Sequence, residues 1–302
     1  MPENRMRHCA VVITYQPDPT ALLKLLGQLE KEGDFIVIDN GSSTIDALEP
    51  SVAVYSHCLE LDKLPENIGL ARALNRGIDW ARARGYQHVL LFDQDSRPGD
   101  LFAEGLSIAL QRAETQSGRR VAAVGPRVIN PQTLRQTPFK LFDRLFGRAN
   151  RRFCGLKREY EADFLITSGT LIPLAVIDEV GPMKDDYFID NIDLEWCFRA
   201  KSMGFELVGT DEAILYHAIG ERSDHPWVRS GLIAQHKPLR TYYSSRNRIH
   251  LYGAPYAPLG WKLRDLPRFA LKAAWLLLAS RQRAEYARNI WRGVRDANEL
   301  SR

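Results

Sequence analysis

Short apolar runs alternate with longer amphipathic stretches through the first half of the chain. Residues 10–14, 35–38 and 88–92 are mostly apolar, have the length of strands and end in polar or turn-forming residues. Residues 19–31 and 70–84 instead repeat their apolar positions at helical spacing. This alternation of strands and helices predicts an α/β fold with a mostly parallel, Rossmann-like sheet flanked by helices.

The same patterns predict elements along the rest of the chain. We expect a third strand at 52–58, a helix at 101–112, strands at 121–124 and 164–173, and a helix at 193–203. Residues 133–158 are basic and have weak periodicity, which predicts a long loop. The chain is rich in proline near residue 255 and helical and basic after it. We therefore expect a main domain over residues 1–254 and a basic amphipathic helical segment over 255–302.

Acidic residues follow two of the predicted strands. Asp39 comes after the second strand, and Asp93 and Asp95 follow the strand at 88–92. Ligands of open α/β sheets collect at the carboxyl ends of strands. Two carboxylates in that position can hold Mg²⁺ or Mn²⁺, and the cation can neutralise a diphosphate. A turn-capping role for either aspartate is also compatible with the pattern.

A second acidic run opens the helix predicted at 193–203. Its members are Asp190, Asp193 and Glu195. The helix dipole stabilises carboxylates at a helix N-terminus, so Asp190 or Asp193 could be a cap. A general base also requires a carboxylate held close to a substrate hydroxyl. The run accommodates both functions if Asp193 is catalytic and its neighbours are structural.

Positive charge is concentrated in two segments. The net charge is only +4, but residues 135–158 contain eight Lys or Arg against Asp143, and residues 262–302 contain ten against four acids. Such segments favour anionic partners, either a phosphorylated small molecule or an anionic membrane surface. The sequence patterns of nucleic-acid-binding proteins are absent, so no nucleic-acid partner is expected. For the C-terminal helices, membrane contact and packing on the main domain both remain open.

The apolar runs are too short for a membrane span. The run near the N-terminus, residues 9–14, does not resemble the core of a signal peptide, and the longest run, residues 273–279, is far below the roughly 20 residues that cross a bilayer. We therefore expect a cytoplasmic protein that can contact the inner face of the cell membrane peripherally.

Six segments resemble, in sequence and in order, glycosyltransferases of family 2, which have the GT-A fold. They are Val11-Val12-Ile13-Thr14-Tyr15, Val37-Ile38-Asp39-Asn40-Gly41-Ser42, Asn67-Ile68-Gly69-Leu70-Ala71, Phe92-Asp93-Gln94-Asp95-Ser96, Thr167-Ser168-Gly169 and Asp190-Asn191-Ile192-Asp193-Leu194-Glu195-Trp196-Cys197. The forms at 93–96 and 190–197 look like the bacterial rhamnosyltransferase branch. The resemblance covers about residues 8–250.

The resemblance implies a donor site built from the strand ends. Thr14 and Tyr15 would line the nucleotide pocket, and Asp39 would accept hydrogen bonds from a pyrimidine base. Asp93 would approach the sugar or ribose, while Asp95 would bind Mn²⁺ or Mg²⁺. The implied donor is a dTDP- or UDP-sugar, with dTDP-rhamnose as the specific expectation.

The resemblance also implies roles further along the chain. Asp193 would be the general base of a single displacement with inversion, and Glu195 would be the second acidic position, near the acceptor. His217 would face the metal or diphosphate and Arg246 would contact phosphate, although structural roles are the alternatives for both. The implied acceptor is a saccharide or lipid-linked saccharide in cell-surface polysaccharide synthesis, such as that of O-antigen.

Two other functions are compatible with parts of the sequence. The segment Phe92-Asp93-Gln94-Asp95-Ser96 also resembles the nucleophile loop of haloacid-dehalogenase-like phosphohydrolases, in which the first aspartate attacks phosphate. Those enzymes usually carry the loop on their first strand, whereas two or three predicted strands precede it here. A non-catalytic scaffold that binds anionic surfaces is supported only by the basic segments.

Overall fold

A central mixed sheet organises the protein. The computed structural model describes residues 7–142, 150–217, 238–280 and 282–300. Within them the strands of the sheet are β1 (His8–Thr14), β2 (Phe35–Asp39), β3 (Cys58–Lys63), β4 (His88–Asp93), β5 (Arg97–Pro98), β6 (Val121–Ile129), β7 (Glu159–Ala162), β8 (Thr170–Pro173) and β9 (Glu206–Tyr216). Their order is β3-β2-β1-β4-β8-β6-β9-β5, with β7 paired to β9.

Helices cover both faces of this sheet and form the C-terminal region. They are α1 (Pro19–Glu32), α2 (Ile45–Val52), α3 (Leu70–Ala83), α4 (Phe102–Ser117), α5 (Leu174–Val180), α6 (Ile192–Ser202), α7 (Pro238–Gly253), α8 (Leu259–Ala279) and α9 (Arg283–Asp296). Short 3₁₀ turns lie at Asp185–Tyr187 and Ala297–Glu299. The α/β class predicted from the sequence is confirmed.

The first half of the sheet is parallel. Strand β1 lies between β2 and β4, so that Thr14 is opposite Asp39 and Ile13 is opposite Asp93. The second half is mixed, because β8 runs antiparallel to β4 whereas β6 and β9 are parallel to each other. The carboxyl ends of β1, β2 and β4 therefore meet at one edge of the sheet.

Strands β1, β2 and β4 are apolar over most of their length because both faces of this part of the sheet are buried. Val12 packs into the core that contains the apolar face of α1, while Val11 and Ile13 pack into the core on the opposite face with α3. This alternation follows the two-residue period of a strand. Gly77 of α3 allows that helix to approach the sheet, since a Cβ at this position would lie 2.2 Å from Cγ1 of Val11.

The prediction of a strand at residues 52–58 is wrong. Helix α2 ends at Val52, with Ile45, Leu48 and Val52 buried at helical spacing, and β3 begins only at Cys58. Strand β3 lies at the end of the strand order and is hydrogen-bonded to β2. Its alternating polar residues are partly exposed, which is typical of an edge strand. Because these polar residues interrupt the apolar ones, β3 lacks the continuous apolar run by which a buried strand is predicted.

Other predicted elements are refined by the structure. The strand predicted at 164–173 is present only as β8, and the strand predicted at 121–124 extends through β6 to residue 129. Residues 133–142 and 150–158 are the described part of the predicted loop. They form isolated β-bridges with other segments but contain no helix and no strand longer than a bridge.

The C-terminal helices differ in how much of their surface is covered. Helix α9 packs on α7, where Gly293 lies against the backbone of Tyr242. Helix α8 instead buries Trp261 and Leu276 and exposes several leucines. No helix in the described ranges is both long and apolar enough to cross a bilayer. A domain boundary at residues 254 and 255 stays a prediction.

Candidate active site

Thr14 and Asp39 are buried side by side at the ends of β1 and β2. The Asp39 carboxylate accepts hydrogen bonds from Thr14 Oγ1 at 2.8 Å and from the backbone nitrogen and Oγ of Ser42 at 2.7 and 2.6 Å. The carboxylate therefore has one of its roughly four acceptor positions left. A nucleobase that binds here would donate a hydrogen bond to that remaining position or replace one of the hydrogen bonds from Ser42.

Gln94 joins the ends of β1 and β4. Its Oε1 accepts a hydrogen bond from the Tyr15 backbone nitrogen at 2.7 Å, and its Nε2 donates to the Tyr15 carbonyl at 3.2 Å. The Tyr15 side chain remains 48% exposed at this edge. Sequence reasoning treated Gln94 only as the spacer between two aspartates, because its partner is 79 residues away in the chain.

Asn40 and Asn67 connect the end of β2 to the start of α3. Asn40 Nδ2 donates to Asn67 Oδ1 at 3.1 Å, and these two side chains accept hydrogen bonds from the backbone nitrogens of Ile68 and Gly69. Gly41 has a φ of 82° and leaves no room for a Cβ, which would lie 2.5 Å from the carbonyl carbon of Glu66. The second and third of the six matched segments therefore form one structural unit.

Two buried serines position the turn that carries Asp93 and Asp95. Ser168 Oγ accepts a hydrogen bond from the Asp93 backbone nitrogen at 3.1 Å and lies 2.5 Å from Ser96 Oγ. Ser96 Oγ also lies 3.3 Å from Nδ1 of His217, which follows the end of β9. The tertiary structure thus brings His217 and Ser168 to the same turn. The sequence motifs that contain these residues do not predict this proximity.

Asp95 and His217 offer ligand atoms for a divalent cation. His217 Nδ1 lies 3.7 Å from Asp95 Oδ1, and the Asp95 side chain is 59% exposed. Within the described ranges no group of three His, Cys, Asp or Glu side chains could hold a metal ion by itself. Mg²⁺ is commonly held by one or two carboxylates together with substrate phosphates and water. The residues present fit a cation that binds together with a diphosphate.

Asp193 lies in the first turn of α6 and is close to the strand-end acids. Its pKa is raised to about 7, mainly by burial and also by the negative charges of Asp93 and Asp190, while a backbone hydrogen bond from Leu194 and the charge of Lys140 act in the opposite direction. Burial also raises the pKa of Asp93, while the charge of His217 lowers it. The carboxylates predicted from separate motifs therefore interact electrostatically in one site.

Two side chains of α7 hold the loop before α6 in place. Asp190 and Asn191 both have positive φ, 67° and 63°. Arg240 binds the Asp190 carboxylate with two nitrogens, the closest contact being 2.8 Å. The fully buried Asn247 places Nδ2 within 2.9 Å of the carbonyl oxygens of residues 187, 189 and 190. Sequence reasoning assigned no role to Asn247 or Arg240.

Glu195 and Arg246 both have protein partners in the structure. Glu195 is only 1% exposed, binds Arg199 through both carboxylate oxygens at 2.9 Å and accepts a hydrogen bond from Tyr256 at 2.9 Å. Arg246 donates to the Asp186 carbonyl and stacks near Tyr243. These contacts indicate that both side chains support the loop and α6, while the roles expected for Glu195 near the acceptor and for Arg246 at phosphate stay predictions.

A cavity of about 340 Å³ adjoins Asp193. It lies between the second half of the sheet and α8, and aromatic side chains form part of its wall. The aromatic residues are Phe139, Phe142, Phe164 and Trp261. Thr14, Asp39 and Asp93 are not among its described lining residues, and this space is hereafter called the Asp193 cavity.

Comparison with known proteins identifies the family. The model of glycosyl transferase family 2 matches residues 10–177. The chain is 26% identical over 280 residues to the dTDP-rhamnosyl transferase RfbF of Shigella flexneri, covering 92% of this chain and 90% of that protein. It is 27% identical over 293 residues to the galactofuranosyltransferase GlfT1 of Mycolicibacterium smegmatis, covering 91% and 90%.

A solved structure supports the fold. The mannosyltransferase PcManGT from Pyrobaculum calidifontis, in complex with GDP-Man and Mn²⁺, superposes with a TM-score of 0.57 at 17% identity, covering 99% of this chain and 74% of that one. The phosphohydrolase and non-catalytic alternatives are set aside by these matches. The chain therefore belongs to glycosyl transferase family 2, has the GT-A fold and is a rhamnosyltransferase-like enzyme that uses a nucleotide-activated sugar.

Proposed function

We propose that this protein transfers L-rhamnose from dTDP-rhamnose, with inversion, to a saccharide or lipid-linked saccharide in cell-surface polysaccharide synthesis on the cytoplasmic side of the membrane. The choice of donor is supported by the match to RfbF over nine-tenths of both chains. The reaction type is supported by the position of Asp193, whose carboxylate both lines a cavity and interacts with the acids at the strand ends.

The donor binds at the edge formed by β1, β2 and β4. Thr14, Tyr15 and Asp39 contact the nucleoside, and Asp93 orients the sugar or ribose. Asp95 and His217 would hold Mn²⁺ or Mg²⁺ next to the diphosphate, and the bound cation would supply positive charge to the leaving group. Gln94 and the Ser96–Ser168 pair keep these side chains in register through the contacts described above.

Asp193 acts on the acceptor. Its carboxylate takes the proton of the acceptor hydroxyl as that oxygen attacks the anomeric carbon. The bond from the sugar to the diphosphate breaks on the opposite face, so a single displacement inverts the configuration. A pKa of about 7 suits this role, because the group is ionised in a useful fraction of molecules and still holds a proton well.

A donor screen tests the proposal. We expect dTDP with Mn²⁺ to raise the melting temperature more than UDP or GDP does, and we expect the enzyme to release dTDP from dTDP-rhamnose faster than nucleotide from UDP-galactofuranose or GDP-mannose. Asp95→Asn should lose the metal-dependent part of the melting shift while melting normally without ligand. Faster hydrolysis of another donor would overturn the assignment of dTDP-rhamnose, and an unchanged metal dependence would remove Asp95 from the metal site.

A further inference from the structure

The Asp193 cavity has a strongly basic lining. Among the described residues that line it, the cations are Lys140, Arg248, Arg264 and Arg268, and the acids are Asp193 and Asp265. Asp265 is already paired, because Arg248 Nε lies 2.6 Å from its carboxylate and Tyr252 donates to it at 2.7 Å. Four cations against two acids leave two positive charges in excess beside the proposed catalytic base.

Arg264 is the lining residue whose hydrogen bonding indicates an anionic ligand. Its Nη1 donates to the Leu141 carbonyl at 3.0 Å, whereas its Nε and Nη2 are buried and have no hydrogen-bond partner in the described part of the chain. Buried N–H groups without partners are costly, and the cost is higher for a charged group. Nε and Nη2 also form one edge of the guanidinium, the edge that binds the two oxygens of a carboxylate or phosphate.

We propose that the Asp193 cavity binds an acceptor sugar that carries an anionic group, and that Arg264 binds this group through Nε and Nη2. This inference rests on the proposed function, because it takes Asp193 as the base and the cavity as the acceptor site. The donor diphosphate is a poor candidate for the anion, since the donor residues Thr14, Asp39 and Asp93 do not line this space within the described residues.

The remaining lining fits the rest of such an acceptor. The aromatic wall provides apolar surface on which a sugar ring can pack. Lys140 lines the same cavity as Asp193 and adds positive charge to it. Arg264 and Asp193 line the same cavity, so one molecule bound there can contact both side chains.

Binding of small probes tests the proposal without knowledge of the natural acceptor. The enzyme is first saturated with dTDP and Mn²⁺, so that added anions cannot use the donor site. Glucose 1-phosphate, glucuronate and methyl glucoside are then titrated by calorimetry. We expect one of the two anionic probes, phosphate or carboxylate, to bind about tenfold or more tightly than methyl glucoside, and the tighter probe identifies the anion.

Variants assign the binding to the cavity. Arg264→Gln should weaken binding of the anionic probe about tenfold and leave binding of methyl glucoside unchanged. Arg268→Gln, at an exposed position, should weaken binding of the anionic probe by a smaller factor, and it provides a second test if Arg264→Gln folds poorly. Arg119→Gln is the matched control, because Arg119 pairs with Glu206 outside the cavity and the charge change is the same. Equal binding of charged and neutral probes, or full binding by both cavity variants, would overturn the proposal. Loss of the dTDP–Mn²⁺ melting shift would instead contradict the donor assignment.

Discussion

A single buried carboxylate sets the expected pH dependence of this enzyme. Asp193 has its pKa raised to about 7, mainly by burial and then by the charges of Asp93 and Asp190. Below this pH the group is protonated and cannot accept a proton from the acceptor. We expect kcat/KM for transfer to rise with pH and to reach half its maximum near pH 7, as measured from initial rates across a pH series.

Replacement of Asp193 by asparagine separates its chemistry from its structural role. Asp193→Asn should lower transfer about 100-fold or more while the melting shift with dTDP and Mn²⁺ is retained. The pKa of Asp193 in the folded protein is raised above its value in the unfolded chain. As the pH rises from about 4 to 7, the unfolded chain loses this proton before the folded protein does, so the wild type loses stability. The variant should therefore melt higher than the wild type at about pH 8, and this difference should shrink at about pH 5. Retained transfer would exclude Asp193 as the base.

The elements position these residues through contacts that fix strand ends to each other. The Gln94 amide joins β1 to β4, the Ser96–Ser168 contact joins the turn after β4 to the segment before β8, and Asn247 of α7 holds the loop before α6. Each of these contacts uses a side chain from one element and, in most cases, backbone groups of another. The site therefore depends on the relative placement of whole strands and helices.

Close packing of α3 on the sheet can be tested at a glycine. In Gly77→Ala the new Cβ would lie 2.2 Å from Val11 Cγ1, so the helix or β1 must shift. Overpacking of this kind costs about 1–3 kcal/mol, which exceeds the gain of about 1 kcal/mol from replacing a helical glycine by alanine. We expect a lower free energy of unfolding in urea titrations.

A matched glycine provides the control for this prediction. A Cβ added at Gly253, at the end of α7, would have no atom of the described residues within 4 Å, so Gly253→Ala should be neutral or slightly stabilising. If Gly77→Ala were as stable as Gly253→Ala, the close approach of α3 to β1 would be contradicted.

At the scale of the whole molecule, α8 presents an apolar surface. Leucines exposed by half or more of their area include Leu259, Leu266, Leu271 and Leu278. Lysines and arginines are interleaved with them along the same helix. Amphipathic helices of this composition bind anionic membranes through buried apolar area and charge attraction.

Vesicle binding tests this surface. We expect the protein to sediment with vesicles that contain phosphatidylglycerol and to stay in solution with phosphatidylcholine vesicles. Combined Leu271→Ser and Leu278→Ser should reduce the bound fraction several-fold, because the apolar contribution to binding is lost. The same double substitution should leave dTDP binding unchanged. Binding that is equal for both lipids, or insensitive to the substitutions, would favour the alternative in which α8 has no membrane role.

The amount that the sequence reveals differs between these scales. Apolar patterns located β1, β2, β4, α1 and α3 within a few residues, because the strands are short buried apolar runs and the two helices bury apolar residues at helical spacing. They failed at β3, an edge strand with alternating polar residues, and at α2, whose last buried residue, Val52, is the first residue of the predicted strand. Local patterns identify an element only when the element buries a regular face.

The sequence by itself determined the α/β class and the placement of Asp39, Asp93 and Asp95 at strand ends, because strand length, helical period and turn chemistry are local properties. Tertiary structure alone decided that Asp193 interacts with Asp93, that His217 lies beside Asp95, and that Glu195 is enclosed by Arg199 and Tyr256. It also created the Asp193 cavity and buried one edge of Arg264 there. These features join residues from distant parts of the chain, and their burial and electrostatic environment exist only after the sheet and helices have packed.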